Sequence, residues 1–367
     1  MGTNPLIELG RLGQSPWYDY ITRDLIASGT LARLIAEDGL RGMTSNPTIF
    51  EKAISGSEDY DDDIRRLASL SHSPQEIFEA LSVADVRSAC DAFHAVFDAS
   101  GGADGLVSLE VSPDLAHYTA GTITEVKRLW TAVDRPNAMI KIPGTRAGLP
   151  AIEESLAQGI SINITLLFSV ERYAQVIEAF FRGLERRKVA GQPIDRINSV
   201  ASFFVSRVDG RVDAALDKTA DAKGLRGMIA IANAAMAYAM FEESRTSARW
   251  SMLASAGARP QRPLWASTST KDPKYPDTYY VEALVAPDTV NTLPPDTFTA
   301  YRDHGKPAVR IHDAIAAAPA RLGALAGTGV DLAAVTQFLE DDGVAKFAES
   351  YAKLLAGIES KASALVR

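Results

Sequence analysis

Residues 137 to 145 have the sequence NAMIKIPGT, which predicts a short buried strand that ends at Pro143-Gly144. The run from 138 to 142 is apolar except for Lys141. A lysine is almost never fully buried unless something pairs with it or a function requires it. Lys141 therefore marks either a buried ion pair or a reactive site, and its neighbours along the chain must decide between the two.

Other short strand-like runs lie on both sides of this stretch, and most are separated by sequence of helical length. Eight runs have this character: 17–21, 39–45, 106–111, 138–142, 159–165, 199–208, 263–268 and 279–286. The alternation predicts a parallel α/β protein, and the count fits a closed (β/α)8 TIM barrel. A doubly wound open sheet is the competing topology. It is disfavoured because the sequence contains neither a G-x-G-x-x-G turn after a strand nor a G-x-x-x-x-G-K-[ST] motif.

Helical sequence beyond the repeating pattern predicts extra helices around the barrel. We expect one domain over residues 1–367, with helical insertions at about 58–99 and 222–259 and C-terminal helices at about 308–367. Asn46 followed by Pro47 is typical of a helix start, because asparagine caps well and proline suits the first helical position.

Composition excludes several classes of function. The chain has 367 residues and a net charge of −8, whereas nucleic-acid-binding proteins usually carry a positive field. Cys90 is the only cysteine, so we expect a reducing, cytoplasmic setting and no cysteine-based metal cluster. The five histidines are scattered, and no apolar run is long enough to cross a membrane. We expect a cytoplasmic protein, a monomer or a homodimer, with no metal and no membrane or nucleic-acid partner.

Polar residues share one face of several predicted strands, near the strand ends. Glu110, Lys141, Asn163 and Thr165 have this placement, and Asp19 is an acid within the apolar run 17–21. An antiparallel sheet with one wet face would give the same alternation. Strands spaced by helices instead predict parallel pairing with both faces covered, so that these polar side chains line a site at the C-terminal ends of the strands.

A lysine beside carboxylates can hold an anion, or it can attack a carbonyl as an amine. A Schiff base to a ketone makes the adjacent carbon suitable for forming or cleaving a carbon–carbon bond. That reaction needs proton carriers for the substrate hydroxyl and for water, and Asp19 and Glu110 are suitable residue types. A buried lysine–carboxylate pair that only holds strands together remains open from the spacing alone. A metal-dependent aldolase also remains open, although the scattered histidines disfavour it.

Five motifs, in this order, resemble the strand motifs of transaldolases: TSNPTIFEKAI, VSLEVSPDLA, MIKIPGT, GISINITLLFS and SFFVSRVD. The resemblance extends from about residue 14 to residue 270, with weaker matches beyond. It implies a (β/α)8 barrel and cofactor-free transfer of a dihydroxyacetone unit in the pentose phosphate pathway. The donors would be sedoheptulose 7-phosphate or fructose 6-phosphate, and the acceptors glyceraldehyde 3-phosphate or erythrose 4-phosphate.

The resemblance also implies roles for individual residues. Lys141 would form the Schiff base, and Asp19 would be the acid/base for the substrate hydroxyl. Glu110 would work with the catalytic water, which Thr165 would orient. The hydroxyls of the dihydroxyacetone unit would be held by three further residues: Asn46, Asn163 and Ser202.

The phosphate-binding arginine of the family falls on Arg207, and the planar fork of an arginine suits a phosphate. Many family members continue this site with a serine followed closely by an arginine, whereas this chain has ASTSTK at 266–271. We carry over Ser267 and expect Lys271 to replace the arginine, with Ser269 as the alternative. Phe168 and Phe204 are expected to pack around the site.

Two alternatives to transfer follow from the same residues. A related Schiff-base aldolase would release free dihydroxyacetone, and the choice depends on whether water or an aldehyde reaches the enamine first. A non-catalytic sugar-phosphate-binding barrel is the other alternative, since a fold does not guarantee a function. Asp19, Glu110, Lys141 and Thr165 are all present, which favours an enzyme.

Overall fold

A computed structural model describes residues 4–219 and 224–366. Its strands are β1 (Gln14–Tyr18), β2 (Gly42–Thr44), β3 (Leu106–Glu110), β4 (Ala138–Pro143), β5 (Ile162–Leu167), β6 (Ser199–Phe204), β7 (Arg262–Ala266) and β8 (Thr289–Leu293). The strands form a closed barrel in the order of the chain, and each strand is parallel to both of its neighbours. The chain is therefore a (β/α)8 TIM barrel, as the sequence predicted.

The helices surround this barrel and fill the connections between its strands. They are α1 (Pro5–Arg11), α2 (Arg23–Ala27), α3 (Thr30–Asp38), α4 (Pro47–Ser55), α5 (Asp61–Ser69), α6 (Pro74–Ala92), α7 (His94–Ala99), α8 (Thr119–Val133), α9 (Gly148–Ala157), α10 (Val170–Val189), α11 (Ser206–Leu216), α12 (Ile229–Thr246), α13 (Ala248–Ala254), α14 (Tyr279–Ala283), α15 (Pro295–His304), α16 (Ile311–Gly327) and α17 (Leu332–Leu365). Buried apolar side chains fill the space between barrel and helices in a continuous core.

Strand register aligns the predicted site residues across neighbouring strands. Glu110 of β3 pairs with Lys141 of β4, and Lys141 pairs with Asn163 of β5. Thr165 lies opposite Pro143, two residues further along the same pair of strands. Register partners on neighbouring parallel strands point to the same side of the sheet, so this register brings Glu110, Lys141 and Asn163 side by side near the C-terminal face.

The prediction of a strand at 279–286 is wrong. Tyr279–Ala283 is helix α14, and the eighth strand is Thr289–Leu293. Buried residues 280, 281, 284 and 285 recur at helical spacing, which explains the helix. The true strand, TVNTL, has few apolar residues, but its polar side chains find partners inside the barrel: Gln14 Nε2 donates to Thr289 Oγ1 at 2.9 Å. Internal hydrogen bonds thus replace the apolar pattern on which the prediction depended.

The bounds of several other strands also differ from the prediction, and two of these differences concern site residues. β1 ends at Tyr18, so Asp19 follows the strand instead of lying within it, and its backbone N–H still donates to the Leu293 carbonyl at 2.8 Å. β6 ends at Phe204, and Arg207 belongs to the first turn of α11. Both differences leave the side chains at the C-terminal ends of their strands, where the site was expected.

The connections after β2 and β6 each contain more than one helix in the described residues. The stretch 58–99 contains α5, α6 and α7, and 229–254 contains α12 and α13; residues 222 and 223 of the second predicted insertion lie outside the described residues. Asn46 caps α4 as expected, since its side-chain oxygen accepts a hydrogen bond from the Ile49 N–H at 3.1 Å. Within the described ranges no single helix has both the length and the apolarity to cross a membrane. Helices α16 and α17 reach that length and apolarity only when taken together, and they are bent by 94° relative to each other.

Candidate active site

A cavity of about 520 Å³ opens at the C-terminal ends of the strands. Its lining includes most of the predicted site residues: Asp19, Asn46, Lys141, Thr165, Ser202, Arg207, Ser267, Ser269 and Lys271. Glu110 and Asn163 lie directly behind this lining, and each is hydrogen-bonded to one of its members. Residues that are up to 252 positions apart in the sequence, from Asp19 to Lys271, thus surround one space.

Lys141 projects from β4 at the base of the cavity, and only 5% of its surface is exposed. Its Nζ donates to Glu110 Oε2 at 2.9 Å and to the Ser45 backbone carbonyl at 2.9 Å. An ammonium group carries three hydrogens and a neutral amine carries two plus a lone pair. With two partners in the described part of the chain, the nitrogen keeps one position for a further hydrogen bond or for a lone pair.

Glu110 and Asp19 are the two carboxyl groups near this nitrogen, and both are held in a poorly solvated setting. Burial raises the pKa of Glu110, while the positive charge and hydrogen bond of Lys141 oppose the shift. Burial likewise raises the pKa of Asp19, against the opposing influence of Lys141. A carboxylate with a raised pKa is a stronger base than an exposed one, which suits both groups to proton transfer. In the described ranges no three histidine, cysteine or carboxylate side chains are grouped as a metal site.

A short chain of hydroxyls fixes the orientation of Asp19. Thr44, the last residue of β2, donates to Asp19 Oδ1 at 2.7 Å. The Thr292 hydroxyl of β8 lies 2.7 Å from the Thr44 hydroxyl. Because Thr44 uses its one hydrogen on the carboxylate, Thr292 acts as the donor to Thr44. Three neighbouring strand ends thus hold one oxygen of the carboxylate.

Thr165 lies at an irregularity of β5. The register between β5 and β6 shifts between Ile164 and Leu167, and Leu166 has a φ of 59°, in the left-handed region. The Thr165 side chain lines the cavity and is fully buried, yet its Oγ1 has no hydrogen-bond partner among the described residues. A buried hydroxyl without a partner is costly unless water or a ligand satisfies it. Thr165 therefore offers a polar contact to whatever occupies the cavity.

Asn163, Ser108 and Ser202 form a buried polar group in the layer around Lys141. Asn163 donates through Nδ2 to Ser108 Oγ at 3.0 Å, and Ser202 donates to Asn163 Oδ1 at 2.7 Å. All three side chains are at most 3% exposed. Only Ser202 of the three also lines the cavity. The group sets the position of Ser202 through Asn163, a residue that the sequence predicted to contact substrate directly.

Arg207 is positioned by the first turn of α11 and by the aromatic ring of Phe204, 5.2 Å from its guanidinium carbon. Its Nη1 is buried without a hydrogen-bond partner in the part of the chain described here, and burial lowers the pKa of the guanidinium. A buried guanidinium with an unused N–H forms a strong charge-assisted hydrogen bond to an anion. Phe204 itself packs on Phe168, with ring centroids 5.2 Å apart, as the sequence predicted.

The loop after β7 meets the start of α11 at the edge of the cavity. Ser267 has a φ of 56°, and its hydroxyl lies 3.0 Å from that of Ser206. Ser269 and the exposed Lys271 both line the cavity. The geometry therefore accommodates both residues that the sequence offered as the partner of Arg207.

The cavity lining also includes residues that the sequence did not indicate, among them Thr44, Lys52, Thr292 and Phe347. Thr44 could have been found, because it lies at the end of a predicted strand as Glu110 does. Thr292 was missed together with its strand β8. Lys52 and Phe347 belong to helices α4 and α17, and no pattern within a helix indicates that a barrel mouth lies beside it.

Comparison with known proteins gives a consistent result. A family profile described as Transaldolase/Fructose-6-phosphate aldolase matches residues 16–358. A protein of Frankia alni named Transaldolase is 51% identical over 361 residues, covering 97% of each chain. A Transaldolase of Acidothermus cellulolyticus is 53% identical over 360 residues, covering 97% of this chain and 96% of the relative. A Transaldolase of Thermobifida fusca is 51% identical over 357 residues, covering 96% of both.

Proposed function

Since the chain belongs to the transaldolase/fructose-6-phosphate aldolase family, we propose that it transfers a dihydroxyacetone unit from a ketose phosphate to an aldose phosphate. The donors are sedoheptulose 7-phosphate or fructose 6-phosphate, and the acceptors glyceraldehyde 3-phosphate or erythrose 4-phosphate. One observation carries the proposal: a buried lysine amine lies at the base of a cavity, 2.9 Å from a carboxylate that can take its proton.

In the first step the Lys141 nitrogen attacks C2 of the ketose, and loss of water gives a protonated imine. Glu110 is within hydrogen-bond distance of Nζ and accepts the proton that the ammonium must lose. The reaction needs no metal and no organic cofactor, since the imine itself withdraws electrons from the bond that breaks.

Cleavage of the C3–C4 bond requires a base for the C4 hydroxyl, and we assign that role to Asp19. Its raised pKa suits proton transfer, and Thr44 fixes one oxygen so that the other can face substrate. The aldose phosphate leaves, and the three-carbon unit stays on Lys141 as an enamine. The acceptor aldehyde then adds to C3 of the enamine, and Asp19 returns the proton to the new hydroxyl.

Water must leave when the imine forms and return when it is hydrolysed. Glu110 and Thr165 lie on the two strands that flank β4 and are the residues that we assign to this water. Thr165 supports the assignment because its buried hydroxyl lacks a partner in the described structure. A single water that bonds to Thr165 Oγ1 would satisfy this group during the reaction.

Substrate binding is divided between the two ends of the cavity. We assign Asn46, Asn163 and Ser202 to the hydroxyls of the dihydroxyacetone unit. Asn163 would act through the hydrogen bond that it receives from Ser202 as well as by contact. The phosphate would bind to Arg207 and Ser267, with Lys271 or Ser269 completing the site. Local positive charge is needed there, because the whole chain carries a net charge of −8.

A Schiff-base aldolase that releases free dihydroxyacetone shares every step up to the enamine, and the matching family profile includes both activities in its description. Transfer is favoured because relatives that share 51–53% identity over 96–97% of this chain are named Transaldolase. A non-catalytic binding barrel would not require the amine and both carboxyl groups to converge as they do.

Reductive trapping tests the proposal directly. The protein is incubated with fructose 6-phosphate, borohydride is added, and the modified peptide is mapped by mass spectrometry. We expect a dihydroxyacetone-sized adduct on Lys141. A folded protein that binds the ketose but shows no adduct there would make Lys141 a structural or anion-binding charge, and the proposed function would fall.

We also propose that the barrel, its helical insertions and the C-terminal helices form one domain that acts in the cytoplasm as a monomer or a homodimer. The packing of α17 on α4 supports a single domain. The single cysteine, Cys90, is buried and suits a reducing compartment. Light scattering coupled to size-exclusion chromatography would determine the oligomeric state.

A further inference from the structure

Helix α17, 34 residues long, crosses the C-terminal face of the barrel. It packs against α4, which follows β2, and against α11, which follows β6. Strands 2 and 6 lie on opposite sides of a closed eight-stranded barrel. The helix therefore spans the mouth of the cavity from one wall to the other.

Three contacts fix α17 across the mouth. Glu340 forms a salt bridge with Arg172 of α10 at 3.2 Å, and both side chains are at most 10% exposed. Gly343 lies against Leu166: a Cβ atom on this glycine would stand 2.9 Å from Leu166 Cδ2. Ser350 receives a hydrogen bond from Thr48 of α4 at 2.8 Å. Because Leu166 directly follows Thr165, the glycine brings the helix close to the residue assigned to the catalytic water.

Phe347 occupies the same face of α17 as these contacts. The positions 340, 343, 347 and 350 follow a spacing of three, four and three residues, which places them along one side of a helix. The Phe347 side chain is 6% exposed and lines the cavity. An apolar ring thus covers a space whose base holds the Lys141 amine and the Asp19 carboxyl group.

We propose that Phe347 is a specificity-determining residue that keeps bulk water from the enamine and so favours transfer over release; this inference rests on the proposed function. After cleavage the enamine on Lys141 has two fates. In transfer, its C3 forms a bond to the aldehyde carbon of the acceptor. In release, C3 takes a proton, water adds to C2 of the resulting imine, and the C–N bond breaks to give dihydroxyacetone and the free lysine.

The two fates differ in their dependence on solvent while no acceptor is bound. Release before an acceptor arrives needs a proton and a water molecule that enter from the mouth. An apolar ring held over the mouth lowers the number of water molecules beside the enamine without blocking an acceptor whose phosphate binds to Arg207. Truncation of the Phe347 ring lets water enter through the mouth of the cavity, by the path that the sugar phosphate uses.

The test is the ratio of released dihydroxyacetone to product of transfer, measured with fructose 6-phosphate as donor and erythrose 4-phosphate as acceptor. For Phe347→Ala we expect this ratio to rise roughly tenfold, because water then reaches the enamine more often than in the unmodified enzyme. Phe338→Ala is the matched control: it makes the same change on the same helix, but Phe338 is 44% exposed and packs on Arg211. We expect the control to leave the ratio unchanged.

An unchanged ratio in Phe347→Ala, or an equal rise in Phe338→Ala, overturns the inference. If Phe347→Ala does not fold, as judged by circular dichroism, Phe347→Leu replaces it in the test. We then expect a smaller rise in the ratio, and an unchanged ratio overturns the inference. Borohydride trapping of the unmodified enzyme separates the two proposals. Absence of the Lys141 adduct overturns both, whereas an adduct together with an unchanged ratio overturns only the role of Phe347.

Discussion

The two ends of the barrel both bury charged groups, but they satisfy them differently. At the N-terminal end, Asp104 accepts hydrogen bonds from the Ser15 hydroxyl, from Trp17 Nε1 at 3.1 Å and from Arg262 Nη2 at 3.2 Å. Arg262 also donates to Ser15 at 2.9 Å. At the C-terminal end, Lys141 has two partners, and Thr165 and Arg207 keep buried atoms without a partner in the described chain.

The Asp104 network and the Lys141 cluster thus differ in how completely their polar groups are paired. A buried polar group whose hydrogen bonds are complete holds its neighbours in place and has no capacity left for a ligand. Groups that keep unused donors or acceptors beside a cavity lower the stability of the folded protein. Their missing hydrogen bonds form only when substrate binds. The N-terminal network is therefore expected to control folding, and the C-terminal cluster to control chemistry.

Replacement of Lys141 gives the largest expected effect. We expect Lys141→Ala to lower the rate of transfer by at least about 10⁴-fold, because the proposed nucleophile is absent. The protein should stay folded, since Glu110 can take a proton when its partner is removed. Enzyme kinetics and circular dichroism measure the two outcomes. Unfolding of this variant would instead support a structural ion pair and would remove the contrast between the two ends.

Replacement of Asp104 tests the other end. We expect Asp104→Ala to lower the free energy of unfolding by about 3 kcal/mol, because Arg262 loses its carboxylate partner and two neutral donors lose an acceptor. Urea unfolding measures this change, and kcat of the folded fraction should match that of the unmodified enzyme. A large loss of kcat with unchanged stability would show that the N-terminal network acts on the chemistry.

The pH dependence of Asp19→Asn sharpens the comparison further. The pKa of Asp19 is raised on folding, so the stability linked to its protonated form is present below the unfolded value and lost as pH rises through the folded value. At pH 7 we therefore expect Asp19→Asn to unfold later in urea, by on the order of 1 kcal/mol, while activity falls. The gain should vanish below about pH 4, near the unfolded pKa of an aspartate. An equal gain in the free energy of unfolding at both pH values would show that the gain does not come from the Asp19 carboxyl group.

The smallest effect is expected at the exposed edge of the site. We expect Lys271→Ala to raise KM for fructose 6-phosphate only about threefold, because an exposed charge contributes little. Arg207→Ala, at the buried position, should raise it roughly tenfold or more. With fructose, which lacks the phosphate, neither variant should differ from the unmodified enzyme in kcat/KM. If Ser269→Ala has the larger effect and Lys271→Ala none, Ser269 is the second phosphate ligand.

Much of this site could be predicted from local pattern. Glu110, Lys141, Asn163 and Thr165 are polar residues at the ends of otherwise apolar strands, and a closed parallel barrel brings such ends together. Ser202 and Arg207 were identified through resemblance to a family. Thr292 was missed because β8 contains buried polar residues that are satisfied inside the barrel, where Asn291 Oδ1 accepts from Thr268 at 3.0 Å. A strand of that kind has no apolar alternation to detect.

The sequence by itself determined the parallel barrel, the start of α4 at Asn46 and the strand ends at which the candidate site lies. Strand periodicity, helix caps and turns are properties of short segments, so they can be predicted from the local sequence. The tertiary structure alone decided that Thr292 orients Asp19 through Thr44 and that Phe347 covers the cavity. Those contacts join segments far apart in sequence, such as Thr48 and Ser350, 302 positions apart, and depend on how whole helices pack on the closed barrel.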